Sequence, residues 1–357
     1  MMYLFLLLFV CFVISLVLTP FVKKFAIKIG AVDQPGGRKV HKKTMPRLGG
    51  LAIYLSFMAG AFLFLPNTKE IWPILTGAGF IVIIGFIDDM IRLSARAKFA
   101  GQIFAAAIPA ISGLTIEFIT APDGNVIEFG YIAIPITILW IVAITNSINL
   151  IDGLDGLAAG VSTIALLTMT ILALSLNYSV AIILMGVMLA GSILGFLVYN
   201  FYPAKIFMGD TGSLFIGYMI GVISIAGFTK SAAIFSVIIP IIILAVPIID
   251  TISAILRRII HKKPLTKPDK FHLHHCLLRL GFTHRQSVIL IYLLSGLFSL
   301  AAILFTKATI WGASVLIVTL LLIIELVIEV TGLISEQYRP LLNLISNGKQ
   351  ILPRNRE

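Results

Sequence analysis

The chain has 357 residues, 59% hydrophobic and 12% charged, with a formal net charge of +11 at pH 7. Soluble proteins carry about a quarter charged residues, so this composition excludes a globular domain with a single anchor and describes a polytopic membrane protein. Cys11 lies in the first apolar run and Cys276 in a basic loop; they are not placed to pair, and no disulfide framework is implied.

The first apolar run, Tyr3 to Pro20, has its basic cluster after it rather than before it, which predicts a retained span and not a cleaved signal peptide. Spans of roughly 20 apolar residues are then predicted at 3–20, 48–66, 71–87, 99–116, 131–149, 157–175, 179–199, 212–228, 232–256, 287–306 and 308–331. With eleven spans, one side of the membrane holds 24 of the 27 Lys and Arg residues and the other side three, Lys69, Lys230 and Lys307. Basic loops mark the cytoplasmic side, so the N-terminus is expected outside and the C-terminus inside. The positive charge then faces an anionic leaflet, and nucleic acid is not an expected partner.

Two short alternating runs around Asp123-Gly124 predict a small extracytoplasmic β-hairpin near 115–130. Pro240 and Pro247 predict a kink in the ninth span. The fold class expected is an all-α polytopic protein of about eleven transmembrane helices. It forms one integral membrane domain over 1–357, with 332–357 as a cytoplasmic tail.

Five polar clusters interrupt the apolar pattern. Asp88-Asp89 ends the third span, with Arg92, Arg96 and Lys98 following. An adjacent acid pair is either a solvated helix end or a proton acceptor beside a cation, because the two carboxylates repel. Asn146, Asn149, Asp152 and Asp155 recur every three residues, with Gly153 and Gly156 between them. On a helix the last three form one polar stripe, too dense to face lipid and too rich for capping alone. The glycines suggest close backbone approach. Gly209-Asp210-Thr211-Gly212-Ser213 opens the eighth span; it reads as an ordinary N-cap or as an anion-cradling helix start. It lacks the lysine of a Walker loop.

His272, His274 and His275 stand among Lys262, Lys263, Lys267, Lys270, Arg279 and Arg285. Zinc would need four ligands; a cationic loop fits a pyrophosphate better, with surface charge as the ordinary alternative. The fifth cluster, 33–50, joins Arg38, Lys39 and His41 to Gly49-Gly50 and serves at least as a topogenic loop. Glu325 and Glu329, one turn apart in the last span, are expected to pair within the bundle. Acids and amides suit Mg²⁺ and cations suit phosphates, so phosphoryl transfer to a lipid at the inner face is the chemistry these residues support.

These pieces, in order, resemble the polyprenyl-phosphate N-acetylhexosamine-1-phosphate transferases over most of the chain: the Arg38-Lys39-x-His41…Gly49-Gly50 loop, Asp88-Asp89 with Lys98, Asn146-x-x-Asn149-x-x-Asp152-Gly-x-Asp155-Gly-Leu, Gly209-Asp-Thr-Gly-Ser213 and His272-x-His274-His275. The resemblance implies Mg²⁺, with Mn²⁺ as the alternative ion, on Asp210 and Asn149. It implies Asp88 as the base for the lipid phosphate with Asp89 beside it, and Lys98 on a phosphate. Asn146, Asp152 and Asp155 would shape the nucleotide-sugar pocket, and His272, His274, His275 and Arg279 would bind pyrophosphate or sugar.

The His-Leu-His-His form is similar to that of enzymes using UDP-N-acetylglucosamine, whereas the translocase for UDP-MurNAc-pentapeptide carries three consecutive histidines and ten spans. The expected partners are undecaprenyl phosphate, UDP-N-acetylglucosamine, the bilayer and, as an option, a second copy in a homodimer. UDP-GalNAc is the alternative donor. A transporter of nucleotide sugars or lipid phosphates is the rival class, although the paired interrupted halves of transporters are not evident.

Overall fold

The computed structural model describes residues 2–34, 44–66, 68–120, 125–228, 238–264, 269, 271–335 and 337–345. Among these the helices are α1 (Met2–Lys28), α2 (Gly49–Phe64), α3 (Ile71–Ile91), α4 (Ala95–Ile111), α5 (Ala133–Ile151), α6 (Leu157–Ser175), α7 (Val180–Asn200), α8 (Gly209–Phe228), α9 (Ile238–Ile243), α10 (Ala245–Ile260), α11 (Leu273–Arg279), α12 (His284–Phe305), α13 (Ile310–Thr331) and α14 (Pro340–Ile345). Two small antiparallel sheets pair β1 (Val32–Asp33) with β2 (Met45–Pro46) and β3 (Phe118–Thr120) with β4 (Val126–Glu128).

Every predicted span contains a helix. Eight helices are long and apolar enough to cross a membrane: α1, α3, α5, α6, α7, α8, α12 and α13. The remaining spans differ in form. Helix α2 is apolar but only 16 residues long, and α4, with 17, begins with Arg96 and Lys98 in its first turns.

The ninth span is broken where its prolines fall. Pro247 has no N–H to offer the Ile243 carbonyl, and α9 ends at Ile243. The Leu244 N–H still reaches Pro240 at 2.9 Å, and the Leu244 carbonyl accepts from Ile248 at 3.1 Å. The helix is therefore interrupted at Leu244 with little loss of hydrogen bonding.

The predicted hairpin is present, in register Phe118↔Glu128 and Thr120↔Val126; its Asp123-Gly124 turn lies outside the described residues. The expected Glu325–Glu329 pair is not what forms. Glu329 is fully buried and accepts the Leu341 and Leu342 N–H groups at 2.6 and 2.8 Å, which pins α14 to the end of α13. Glu325 bonds the Tyr338 hydroxyl instead. A carboxylate inside a bundle needs donors, and a second carboxylate supplies none.

Helix α8 is the centre of the packing. Its apolar window is 83% buried, against 22% for the peripheral α13, and α3, α5 and α2 pack around it. The 46–50 segment lies across its start: Gly49 and Gly50 N–H groups bond the Phe207 and Met208 carbonyls at 2.9 and 2.8 Å. A Cβ on Gly50 would stand 2.0 Å from the Gly212 backbone, so the Gly-Gly step permits the contact of α2 with α8. Gly50→Ala is expected to destabilise the protein by about 1–3 kcal/mol or more, read as a lower thermal midpoint in detergent. An unchanged midpoint would show that this segment can move off α8.

Candidate active site

A cavity of about 1150 Å³ opens between the turns at one end of the bundle. Its lining includes Arg47, Asn149, Asp152, Asp155, Asp210 and His275. Four of the five predicted clusters therefore meet in it directly, and the fifth, Asp88-Asp89, reaches it through its bonds to Arg47 and Asp210's helix. Arg38, Lys39 and His41 lie outside the described residues.

The site is built on the first turn of α8. Helix starts leave N–H groups unpaired and carry a partial positive charge, and here the partner comes from α3. Asp89 Oδ1 accepts the Asp210 N–H at 2.9 Å, and Oδ2 accepts the Thr211 N–H at 2.9 Å and the Thr211 hydroxyl at 2.6 Å. Arg47 Nε adds a bond to Oδ1 at 2.9 Å, and the Asp89 side chain has no solvent exposure. Gly209 enters this turn at φ +72°, and a Cβ there would meet the Arg47 carbonyl at 2.0 Å. With Asp89 as the cap, neither Asp210 nor Thr211 has to cap its own helix, and the Asp210 carboxylate is left for other partners.

Those partners are cationic and amidic. Lys98 Nζ stands 3.0 Å from Asp210 Oδ2, 3.3 Å from Asp88 Oδ2 and 3.4 Å from Asn149 Oδ1. Asn149 Nδ2 donates to Asp210 Oδ1 at 2.6 Å and to the Ser213 hydroxyl at 2.8 Å. Arg47 approaches Asp210 from another side at 3.8 Å. Asp88 uses Oδ1 to accept the Leu93 N–H at 2.6 Å, closing the turn between α3 and α4. Ser94 caps α4 through the Ala97 N–H, which puts Lys98 in the first turns of that helix.

The asparagine–aspartate run is not one helical stripe. Helix α5 stops at Ile151, and Asp152 is its C-cap, so only Asn146 and Asn149 share the helix. Asp152 and Asp155 stand in the turn to α6, where Gly156 takes φ +78°. Asp152 keeps some surface open to the cavity, yet burial, with Asp210 and Asp89 adding negative charge, pushes its pKa up to about 7. Asp155 Oδ2 accepts the Ala204 N–H at 2.9 Å, and its own N–H donates to His284 Nε2 at 3.0 Å. Asn146 lies apart from the cavity lining: it exchanges amide bonds of 2.6 and 3.3 Å with Gln102, tying α5 to α4.

The histidines separate in the same way. His275 lines the cavity. His272 and His274 are buried at 6% and 2% exposure. His272 Nδ1 meets Asp250 at 2.9 Å. His274 presses on Gly153, where a Cβ would lie 2.2 Å from its Nε2, which accounts for one of the glycines in the run. Arg279 packs over the Phe271 ring at 4.9 Å and is exposed, away from the cavity lining. Sequence reasoning did not single out Arg47 within its 33–50 cluster, and it passed over Gln102, Asp250 and His284. For Gln102 and Asp250 a signal existed, since polar groups inside predicted spans are functional candidates by default.

Burial, with His275 beside it, pushes the His274 pKa down to about 3, and among the described residues neither ring nitrogen has a hydrogen-bond partner. The unfolded chain therefore binds a proton that the folded one refuses between about pH 6.5 and 3. Stability is expected to fall as pH drops through that window, by up to about 1.4 kcal/mol per unit from this residue. His274→Asn should flatten the acid limb of a thermal-midpoint titration. An equal slope in both proteins would remove His274 from that role.

A family model, "Glycosyl transferase family 4", matches residues 71–228, the stretch holding Asp88, Asn149 and Asp210. Three relatives extend the likeness. A probable undecaprenyl-phosphate N-acetylglucosaminyl 1-phosphate transferase of Bacillus subtilis is 49% identical over 337 residues, covering 93% of this chain and 94% of the relative. A decaprenyl-phosphate N-acetylglucosaminephosphotransferase of Mycolicibacterium smegmatis is 38% identical, with 81% and 79% covered. A phospho-N-acetylmuramoyl-pentapeptide-transferase of Halalkalibacterium halodurans is 35% identical, with 82% and 94% covered. Likeness on this scale makes the chain a member of glycosyl transferase family 4, the polyprenyl-phosphate N-acetylhexosamine-1-phosphate transferases.

Proposed function

We propose that this enzyme transfers N-acetylglucosamine-1-phosphate from UDP-N-acetylglucosamine to undecaprenyl phosphate at the cytoplasmic face of the bacterial cell membrane. UMP is released, and the product is the lipid-linked first sugar of a cell-surface polymer. The observation that carries this reading is the ring of oxygens around Lys98: two carboxylates and an amide within 3.4 Å of one ammonium, at the edge of a cavity. It is supported by the 49% identical relative, whose name specifies that sugar and that lipid.

In this reading an oxygen of the lipid phosphate bonds to the sugar-bearing phosphorus of the donor. The bond from that phosphorus to the bridging oxygen breaks, and UMP departs with the electron pair. Asp88, at the end of α3 and beside Lys98, is assigned as the base for the acceptor phosphate. Lys98 and Arg47 offset the repulsion between the two anionic substrates. Asp89 is assigned a positioning part: its oxygens are taken by the start of α8, so it acts by holding Asp210.

The donor set also fits Mg²⁺, or Mn²⁺. It is made of oxygens only, it already surrounds a cation, and Asp210 and Asn149 would hold the ion. Magnesium needs one or two carboxylates plus phosphate oxygens and water, so no larger protein cluster is required. When bound, it would neutralise pyrophosphate charge as it develops.

The eleven-span topology, with the cavity on the cytoplasmic side, belongs to the same reading. Its support is the charge asymmetry of the loops.

Purified protein given UDP-GlcNAc, undecaprenyl phosphate and MgCl₂ is expected to release UMP, and UDP-GalNAc and UDP-MurNAc-pentapeptide should compete poorly. Asp210→Ala should lower turnover by at least about 100-fold while the protein still inserts. Absence of UMP above an EDTA control would sink the reaction; full turnover in Asp210→Ala would remove that residue from the site.

A further inference from the structure

The loop that carries the histidines is held by a carboxylate with no part in the reaction scheme above. Asp250 sits in α10, six residues past the break in the ninth span, and is 1% exposed. Its two oxygens do different things. Oδ1 accepts the Leu273 N–H at 2.7 Å, at the first turn of α11, and Oδ2 faces His272 Nδ1 at 2.9 Å.

A carboxylate has only lone pairs to offer, so the imidazole nitrogen facing it carries the proton. In a neutral ring this leaves the lone pair on Nε2. The ring so fixed is stacked parallel to His274, with centroids 5.9 Å apart and planes 4° apart, and His274 contacts His275 at 4.2 Å. His275 is the member of the three that lines the cavity.

The other flank of the loop is tied to the same helix. Arg257, also on the buried face of α10, binds Asp269 at 2.6 Å, and Asp269 accepts the Phe271 N–H at 3.1 Å. Helix α10 is thus a platform for the whole histidine segment.

We propose that Asp250 is a positioning residue of the transferase: it fixes His272 with a proton on Nδ1, seats the start of α11, and through the ring stack sets His275 at the cavity wall. This rests on the reading that the histidine loop meets the donor's phosphates, and it adds to that reading a residue in a different helix that decides the loop's proton arrangement. The physical precedent is general. A buried acid that holds an imidazole in one tautomer is lost as a device when it becomes an amide, even where the geometry survives.

Asp250→Asn separates this role from simple support. The amide oxygen can still accept the Leu273 N–H, but the amide NH₂ then faces Nδ1 and requires a lone pair there. Histidine-labelled full-length protein in nanodiscs is compared by ¹⁵N NMR at pH 8, without substrate, with His272 assigned from the signal missing in His272→Gln. The expected result is a protonated Nδ1 in the wild type, an unprotonated Nδ1 in Asp250→Asn, and a kcat for UMP release at least about tenfold lower, with KM for UDP-GlcNAc changed less than kcat.

An unprotonated Nδ1 in the wild type overturns the proposal, and that measurement stands even if the variant fails to insert. A tautomer switch with unchanged kcat, or a fall in kcat without a switch, also overturns it. Failure of the wild type to release UMP would count against the transferase reading instead, because the NMR result does not depend on turnover.

Discussion

The buried carboxylate of Asp89 and the first turn of α8 form the contact on which the site depends. Stripping a charge of water is costly unless donors replace the lost solvation. Here two backbone N–H groups, a hydroxyl and a guanidinium do so. The same bonds satisfy the helix start and complement its partial positive charge. One interaction therefore fixes α3 against the most buried helix of the bundle, and it releases Asp210 from capping duty. Because Asp210 inherits its position from that turn, the arrangement of Lys98 and Asn149 around it follows.

Asp210 stands among both acids and cations. Asp88, Asp89 and Asp210 would repel one another if brought together alone. Arg47 contacts both Asp89 and Asp210, Lys98 contacts both Asp88 and Asp210, and Asp88 shares a side-chain hydrogen bond with Asp210. The cations come from two different elements, the turn before α2 and the first turns of α4, so the charge of the acids is offset by side chains rooted in separate parts of the fold. A cavity edged this way can take up phosphate groups without first assembling its own charges, which is the condition for preorganised electrostatic stabilisation.

The break in the ninth span has a consequence for the same cavity. The helix is interrupted at Leu244, and beyond it Asp250 and Arg257 bond the segment that follows α10. The histidine loop is held from this helix at both flanks, and through His275 it contributes to the lining of the cavity.

The pattern of apolar runs sufficed to place a helix in every predicted span, because a membrane helix is recognised by length and hydropathy along the chain alone. The hairpin at 118–128 and the break near Pro247 were legible for similar local reasons: alternation marks strands, and a missing N–H marks a break. The site clusters were legible too, since Asn, Asp and His at such density have no place against lipid. Their division of labour was not. Asp88 and Asp89 are neighbours in the chain, yet one closes the turn after α3 and the other caps α8. Asn146 and Asn149 share a helix face, yet one pairs with Gln102 and the other with Asp210. Of three close histidines, His275 alone lines the cavity. Spacing along the chain specifies which residues share an element, but a hydrogen-bond partner is chosen by which other element packs there. The sequence by itself determined where the helices fall, the family and the residues gathered at one end. Only the tertiary structure decided that Asp89 caps, that Asp210 is left open to a cation, and that Asp250 holds His272, because each depends on donors and acceptors brought together from distant segments.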